Sequence, residues 1–177
     1  MNIVKTKIPD LLILEAAVFG DQRGFFMETF RQSWFDNNSI KAHFVQDNHS
    51  ASTKGVLRGL HYQQTKQQGK LVRVVVGEIF DVAVDIRPDS ATYGQWFGTL
   101  LSAANKRQLY IPPGFAHGFQ VVSEYAECQY KCTDYYDPND QKEILWSDPS
   151  LNIQWPDTDP ILSEKDAVAP LLANIAP

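Results

Sequence analysis

The chain has 177 residues, 44% of them hydrophobic and 21% charged, with a net charge of −5. That is enough to close one hydrophobic core, so residues 1–177 are expected to form a single domain, and the composition excludes a disordered polymer. The 16 Lys and Arg residues are scattered, which argues against nucleic acid as a partner, and no apolar run approaches the roughly 20 residues of a membrane span.

The first apolar run, Leu11 to Leu14, follows Pro9 and Asp10 and lacks the order of an export signal, so a cytoplasmic protein is expected. One helix is expected from about Thr29 to Asn37, where Phe30, Trp34 and Phe35 make an apolar stripe. Strand patterns dominate after it. Leu71 to Val76 is a β-branched run broken by Gly77-Glu78. Ile79 to Ile86 alternates, with Phe80, Val82, Val84 and Ile86 on one face and Asp81, Ala83 and Asp85 on the other. Further strands are expected at Trp96 to Leu101, Gln108 to Ile111, Gly118 to Ser123 and Ala126 to Thr133. Turn residues separate them at Arg87-Pro88-Asp89-Ser90, Ala104-Asn105-Lys106, Pro112-Pro113-Gly114 and Asp137-Pro138-Asn139-Asp140. Short strands at this spacing, without alternating helices, predict an all-β antiparallel sandwich or jelly-roll barrel with a few short peripheral helices. The segment rich in Pro and Asp from Asp148 onward is expected to pack over that barrel as a tail.

Cys128 and Cys132 are the only cysteines. Four strand residues separate their Cα atoms by about 13 Å, whereas a disulfide needs roughly 4.4 to 6.8 Å. They are expected to be reduced core residues, as in a cytoplasmic protein. Tyr130 lies between them with the same parity, so its hydroxyl is expected to point into the barrel, where it could donate a proton.

His61 has an ordinary pKa of about 6.5, which suits proton abstraction near neutrality. Arg58 precedes it by three residues, and Lys70 and Arg73 follow on the next strand. Such a group of cations at one barrel mouth suggests an anionic ligand, with Arg73 read as part of a solvated strand face. Arg58-Gly59-Leu60-His61-Tyr62-Gln63 and Pro112-Pro113-Gly114-Phe115-Ala116-His117 resemble the two signature motifs of the cupins. Metal-dependent cupins place a second His where Gln63 stands and add a Glu that Thr65 to Gly69 lacks. Two histidines without a third strong ligand make a poor transition-metal site, so no metal is expected.

The chain as a whole resembles the dTDP-4-dehydrorhamnose 3,5-epimerase family. The matching segments run from Phe19-Gly20-Asp21-Gln22-Arg23-Gly24-Phe25-Phe26-Met27-Glu28 through Phe44-Val45-Gln46-Asp47-Asn48-His49-Ser50 and the His61 motif. They continue through Gln68 to Arg73, Phe80 to Arg87 and Ile111 to Phe119, and end with Tyr130 to Tyr136 and Leu162 to Asp166. The resemblance implies a cupin-type jelly roll and an epimerase that needs no cofactor. It implies His61 as base, Asp166 as its carboxylate partner, Tyr130 as acid on the other face of the sugar and Lys70 as enolate stabiliser. It implies Arg23 and Arg58 on the diphosphate, with Glu28, Gln46, Asn48, His117, Tyr136, Gln141 and Lys165 completing the substrate site. Gln141 departs from the family, which usually has Glu there; Glu143 follows two residues on. A homodimer with exchanged N-terminal strands is implied as well, with Arg23 and Glu28 serving the neighbour's pocket. Relatives that invert only C3 or only C5, or that isomerise the ketone, share the fold and remain an alternative. A non-catalytic sugar-nucleotide binder is disfavoured by the presence of both His61 and Tyr130, and a metal-dependent enzyme by Gln63.

Overall fold

The β-branched and alternating runs form strands where their patterns predict them, and two facing sheets result. The structure, a computed structural model, describes residues 1–175. Its strands are β1 (Asn2–Lys5), β2 (Leu12–Glu15), β3 (Val18–Asp21), β4 (Gly24–Met27), β5 (Gln46–Thr53), β6 (Leu57–Gln63) and β7 (Lys70–Val76). They continue with β8 (Glu78–Asp85), β9 (Trp96–Ser102), β10 (Arg107–Ile111), β11 (Phe115–Val121), β12 (Tyr125–Cys132) and β13 (Gln141–Glu143). Two short helices accompany them, α1 (Gln32–Asn37) and α2 (Glu164–Ala167). None of the described helices is long and apolar enough to cross a membrane.

The larger sheet runs β1-β2-β10-β7-β12-β5 and the smaller β13-β6-β11-β8-β9. From β9 to β13 each strand lies in the other sheet from the one before it, as do β5 to β8, which is the jelly-roll winding of a cupin. Strands β3 and β4 pair only with each other, as a hairpin hydrogen-bonded to neither sheet.

Alternation explains the layers. On β8, Ile79 and Ala83 face inward to a core shared with Val72, Val74, Leu109, Ile111, Phe115 and Phe119. Phe80, Val82 and Val84 face outward instead, beneath Leu151, Trp155 and Leu172 of the C-terminal segment. That segment is the expected tail, anchored by Trp96 Nε1 donating to the Leu151 carbonyl at 2.9 Å. The larger sheet is covered on its outer face too, where Phe30, Trp34, Phe35 and Phe44 pack on Leu14, Leu71 and Tyr110. The helix begins at Gln32 rather than near Thr29, because Arg31 is extended at φ −151°. Strand β11 begins at Phe115, three residues before the expected Gly118. Gly114 at φ +84° completes the turn, and Phe115 is free to pair with Asp85.

Candidate active site

Between the sheets, above the apolar core, the inner faces become polar. His61 on β6 and His117 on β11 are register partners and share a face of the smaller sheet. The larger sheet faces them with Lys70 on β7, Tyr130 and Cys132 on β12, and Gln46 and Asn48 on β5, all cross-strand neighbours by register or of one parity.

A bulge decides what β6 presents. Phe119 pairs with Arg58 and His117 with His61, so three steps on β6 match two on β11. In a regular strand residues three apart face opposite ways, and the bulge turns Arg58 to the same side as His61. Glycine is required there: Gly59 has φ +127°, and a Cβ on it would lie 2.5 Å from the Gly118 Cα.

His61 Nε2 donates to Asp166 Oδ1 at 2.6 Å, across 105 residues of sequence. Asp166 is delivered by the tail. Ser163 caps α2 by accepting from the Asp166 amide, and the aspartate side chain is 3% exposed beside a histidine that is 31% exposed. Burial alone would raise the Asp166 carboxyl, but the bond from His61, the Ser163 hydroxyl and the Gly59 amide hold it below its usual value. With Nε2 committed to Asp166, Nδ1 is left as the nitrogen that can accept a proton.

A second pair lies deeper. His117 Nε2 reaches Asp81 Oδ2 at 2.9 Å, with the side chains 9% and 0% exposed. Burial lowers the His117 pKa, and the Asp81 charge opposes that only in part. The same burial lowers the Lys70 pKa against the pull of Cys132 and Asp81. It raises the Tyr130 hydroxyl, which keeps that phenol protonated and able to donate.

The remaining predicted residues divide into those at the mouth and those apart from it. Gln46 Nε2 donates to Asn48 Oδ1 at 3.0 Å, and Gln46 Oε1 accepts from the Tyr136 amide at 2.9 Å. Arg58 donates through Nε to Ser52 Oγ at 3.0 Å. Gln141 pairs with Gln63 on β6 and donates to Glu143 at 2.8 Å, so a carboxylate stands beside the amide. Lys165 is exposed on α2 next to Asp166. Arg23 and Glu28 are not brought to this pocket within the chain: Arg23 pairs with Asp21 in the hairpin and Glu28 with Arg31. Arg73 points outward, as expected, donating to Gln129 and lining a cavity of about 270 Å³ with Asp47, His49 and Lys131.

Gln63 is held by loops. Its Nε2 donates to the Lys66 and Tyr135 carbonyls and its Oε1 accepts from the Asp137 amide. Among the described residues no three His, Cys, Asp or Glu side chains converge as metal ligands. Both cysteines are buried and free, with burial pushing the Cys128 thiol up to about 12. Asp81 was missed as a site residue. The signal was there, because an Asp on the inner parity of a strand that otherwise buries Ile79 and Ala83 must have a partner inside.

Residues 5–174 match the family model described as dTDP-4-dehydrorhamnose 3,5-epimerase. A curated protein of that description from Shigella flexneri is 62% identical over 168 residues, covering 94% of this chain and 93% of its own length. Another from Salmonella typhimurium is 60% identical over 175 residues, covering 97% of this chain and 96% of its own. A crystal structure of dTDP-6-deoxy-D-glucose-3,5-epimerase from Legionella pneumophila in complex with dTDP-4-keto-L-rhamnose superposes with a TM-score of 0.96. It is 54% identical and covers 99% of this chain and 94% of that one.

Proposed function

The chain belongs to the dTDP-4-dehydrorhamnose 3,5-epimerase family, and we propose that it inverts C3 and C5 of dTDP-4-dehydro-6-deoxy-D-glucose to give dTDP-4-dehydro-L-rhamnose. The observation that carries the assignment of roles is the His61–Asp166 pair on one sheet facing Tyr130 on the other, with the Lys70 ammonium between the same walls.

The C4 ketone acidifies the hydrogens on C3 and C5. His61 Nδ1 takes the proton, the C–H electron pair becomes the enolate double bond, and negative charge moves to the C4 oxygen. Asp166 fixes the tautomer and steadies the imidazolium. Lys70 meets the developing oxyanion, a contribution that elsewhere is worth roughly 2.7 to 4 kcal/mol per donor. Tyr130 delivers a proton to the opposite face, and exchange with water resets both groups. The second centre follows by the same steps. No redox or metal group enters this scheme.

Arg58, together with Arg23 from a second copy, would take the diphosphate, guanidinium forks being suited to paired phosphate oxygens, and Lys165 would complete the substrate site. Gln46, Asn48, Tyr136 and Gln141 would bind the nucleotide at the rim, the last with Glu143 supplying charge beside its amide. Arg23 and Glu28 would act on the neighbour's pocket in a homodimer. The β3–β4 hairpin supports this, since it presents Phe19 at 66% and Phe26 at 71% exposure, apolar area that a second copy would cover. The free buried thiols fit a cytoplasmic setting.

Proton NMR of the substrate turned over in D2O tests the reaction: deuterium is expected at both C3 and C5. Label at one carbon would indicate a mono-epimerase, and label at neither would overturn the reading. The variants separate the roles. His61→Asn is expected to lose inversion and exchange together by roughly 10,000-fold, whereas Tyr130→Phe is expected to lose inversion while exchange persists. Exchange surviving in His61→Asn would show that the base lies elsewhere.

A further inference from the structure

Strand β13 closes one edge of the smaller sheet and adds a residue to the row that holds the two histidines. By register Glu143 lies opposite His61, His61 opposite His117, and His117 opposite Ala83 of the inner core. Leu60 and Ile144 exchange both backbone bonds, at 3.2 and 2.9 Å, so the next pair, His61 and Glu143, is a non-hydrogen-bonded one. In such a pair the Cα atoms lie about 4.5 Å apart and the side chains leave the sheet on the same face. Leu60 and Ile144 pack outward with the tail, so alternation turns His61 and Glu143 inward.

Glu143 is half-buried, and among the described residues its one side-chain hydrogen bond comes from Gln141 Nε2 to Oε1 at 2.8 Å. His61 beside it gives Nε2 to Asp166 instead. The second carboxylate oxygen is therefore left to accept from a ligand. Once a ligand covers it and excludes water, that oxygen needs a donor, or its desolvation counts against binding. A 4-keto-6-deoxyhexose has no donor at C4 or C6, which leaves the hydroxyls on C2 and C3. The C3 hydroxyl changes face when C3 inverts, whereas the C2 hydroxyl keeps its configuration throughout. A fixed acceptor can hold only the second through the whole turnover, and C2 is bonded to a carbon that the neighbouring base deprotonates.

We propose that Glu143 is a specificity-determining residue: its free carboxylate oxygen accepts from the C2 hydroxyl of the hexose, and Gln141 holds the carboxylate in place. This rests on the epimerase reading for the identity of the sugar. A hydroxyl bonded to a charged acceptor contributes roughly tenfold or more in affinity, and a sugar lacking it leaves the carboxylate buried and unpaired.

Calorimetry with two unreactive ligands, dTDP-glucose and its 2-deoxy counterpart, measures the contact without turnover. The wild-type protein is expected to bind the 2-deoxy sugar roughly tenfold or more weakly. Glu143→Ala is expected to bind the two about equally. Glu143→Gln keeps a neutral acceptor and should show a gap of only a few-fold. Lys142→Ala, on the outward face of the same strand, should keep the wild-type gap. With the keto sugar, Glu143→Ala should raise KM roughly tenfold and leave kcat nearly unchanged. A gap that persists in folded Glu143→Ala, or in Glu143→Gln should the first not fold, overturns the proposal, as does a wild type that binds both sugars equally. A fall in kcat with the gap intact would overturn it too, placing Glu143 with His61 rather than with the sugar. A wild-type protein that shows the gap but leaves the keto sugar unlabelled in D2O would instead overturn the reaction assigned to the pocket.

Discussion

Four aspartates lie buried among the described residues, and they are satisfied in two different ways. Asp85 and Asp148 are partnered by their own neighbourhoods. Asp85 accepts from Arg87 Nε at 2.9 Å, Ser90 Oγ at 2.6 Å and Thr92 Oγ1 at 2.6 Å. Asp148 accepts from the Ser150 hydroxyl at 2.6 Å and, across the tail, from the Leu172 amide. Asp81 and Asp166 are each held by a histidine from another element, and those histidines stand side by side in the pocket. The first kind saturates its carboxylates with donors that have no other task, which builds a turn and a tail anchor. The second leaves lone pairs and an imidazole nitrogen facing the cavity, which is what proton transfer requires.

That contrast can be broken from either side. The largest effect is expected at the mouth: Asp166→Asn should cost roughly 1,000-fold in kcat, because an amide neither holds the His61 tautomer nor stabilises the imidazolium. Its melting temperature should fall by only about 4 °C or less, as measured by thermal unfolding. A large loss of stability with activity preserved per folded molecule would place Asp166 with the anchoring aspartates. Asp85→Asn should show the reverse. Removing one partner of a buried ion pair costs about 3 kcal/mol, roughly 6 to 12 °C for a chain of this size, with kcat of the folded fraction unchanged.

The smallest effect concerns pH. Burial alone would raise the Asp85 carboxyl, but the bonds from Arg87, Ser90 and Thr92 bring it down to about 2. A depressed carboxylate stabilises the fold above its unfolded pKa and loses that contribution as pH falls through the folded value. About 2 kcal/mol should therefore disappear between about pH 4 and pH 2, and urea midpoints of Asp85→Asn over that range should slope less steeply than those of wild type.

Of the anchoring aspartates, Asp85 was within reach of the sequence. Asp85, Arg87, Ser90 and Thr92 lie within one turn, and a carboxylate there finds its donors by local backbone geometry alone. Alternation likewise gave the strands, the inward parity of Cys128, Tyr130 and Cys132 and the outward one of Arg73, because side-chain direction repeats every two residues. The pairing of His61 with Asp166 came from family resemblance; nothing in spacing links residues 105 apart.

The sequence by itself determined which residues face which way along each strand, where turns break them, and which family the motifs belong to. Only the tertiary structure decided which inner faces meet. The β6 bulge overrides parity to set Arg58 beside His61, the jelly-roll winding brings Lys70 and Tyr130 opposite the two histidines, and the tail carries Asp166 in. The physical reason is that strand direction is a local property of φ and ψ. Sheet order, bulges and the path of a tail are fixed by contacts between segments that no local pattern encodes.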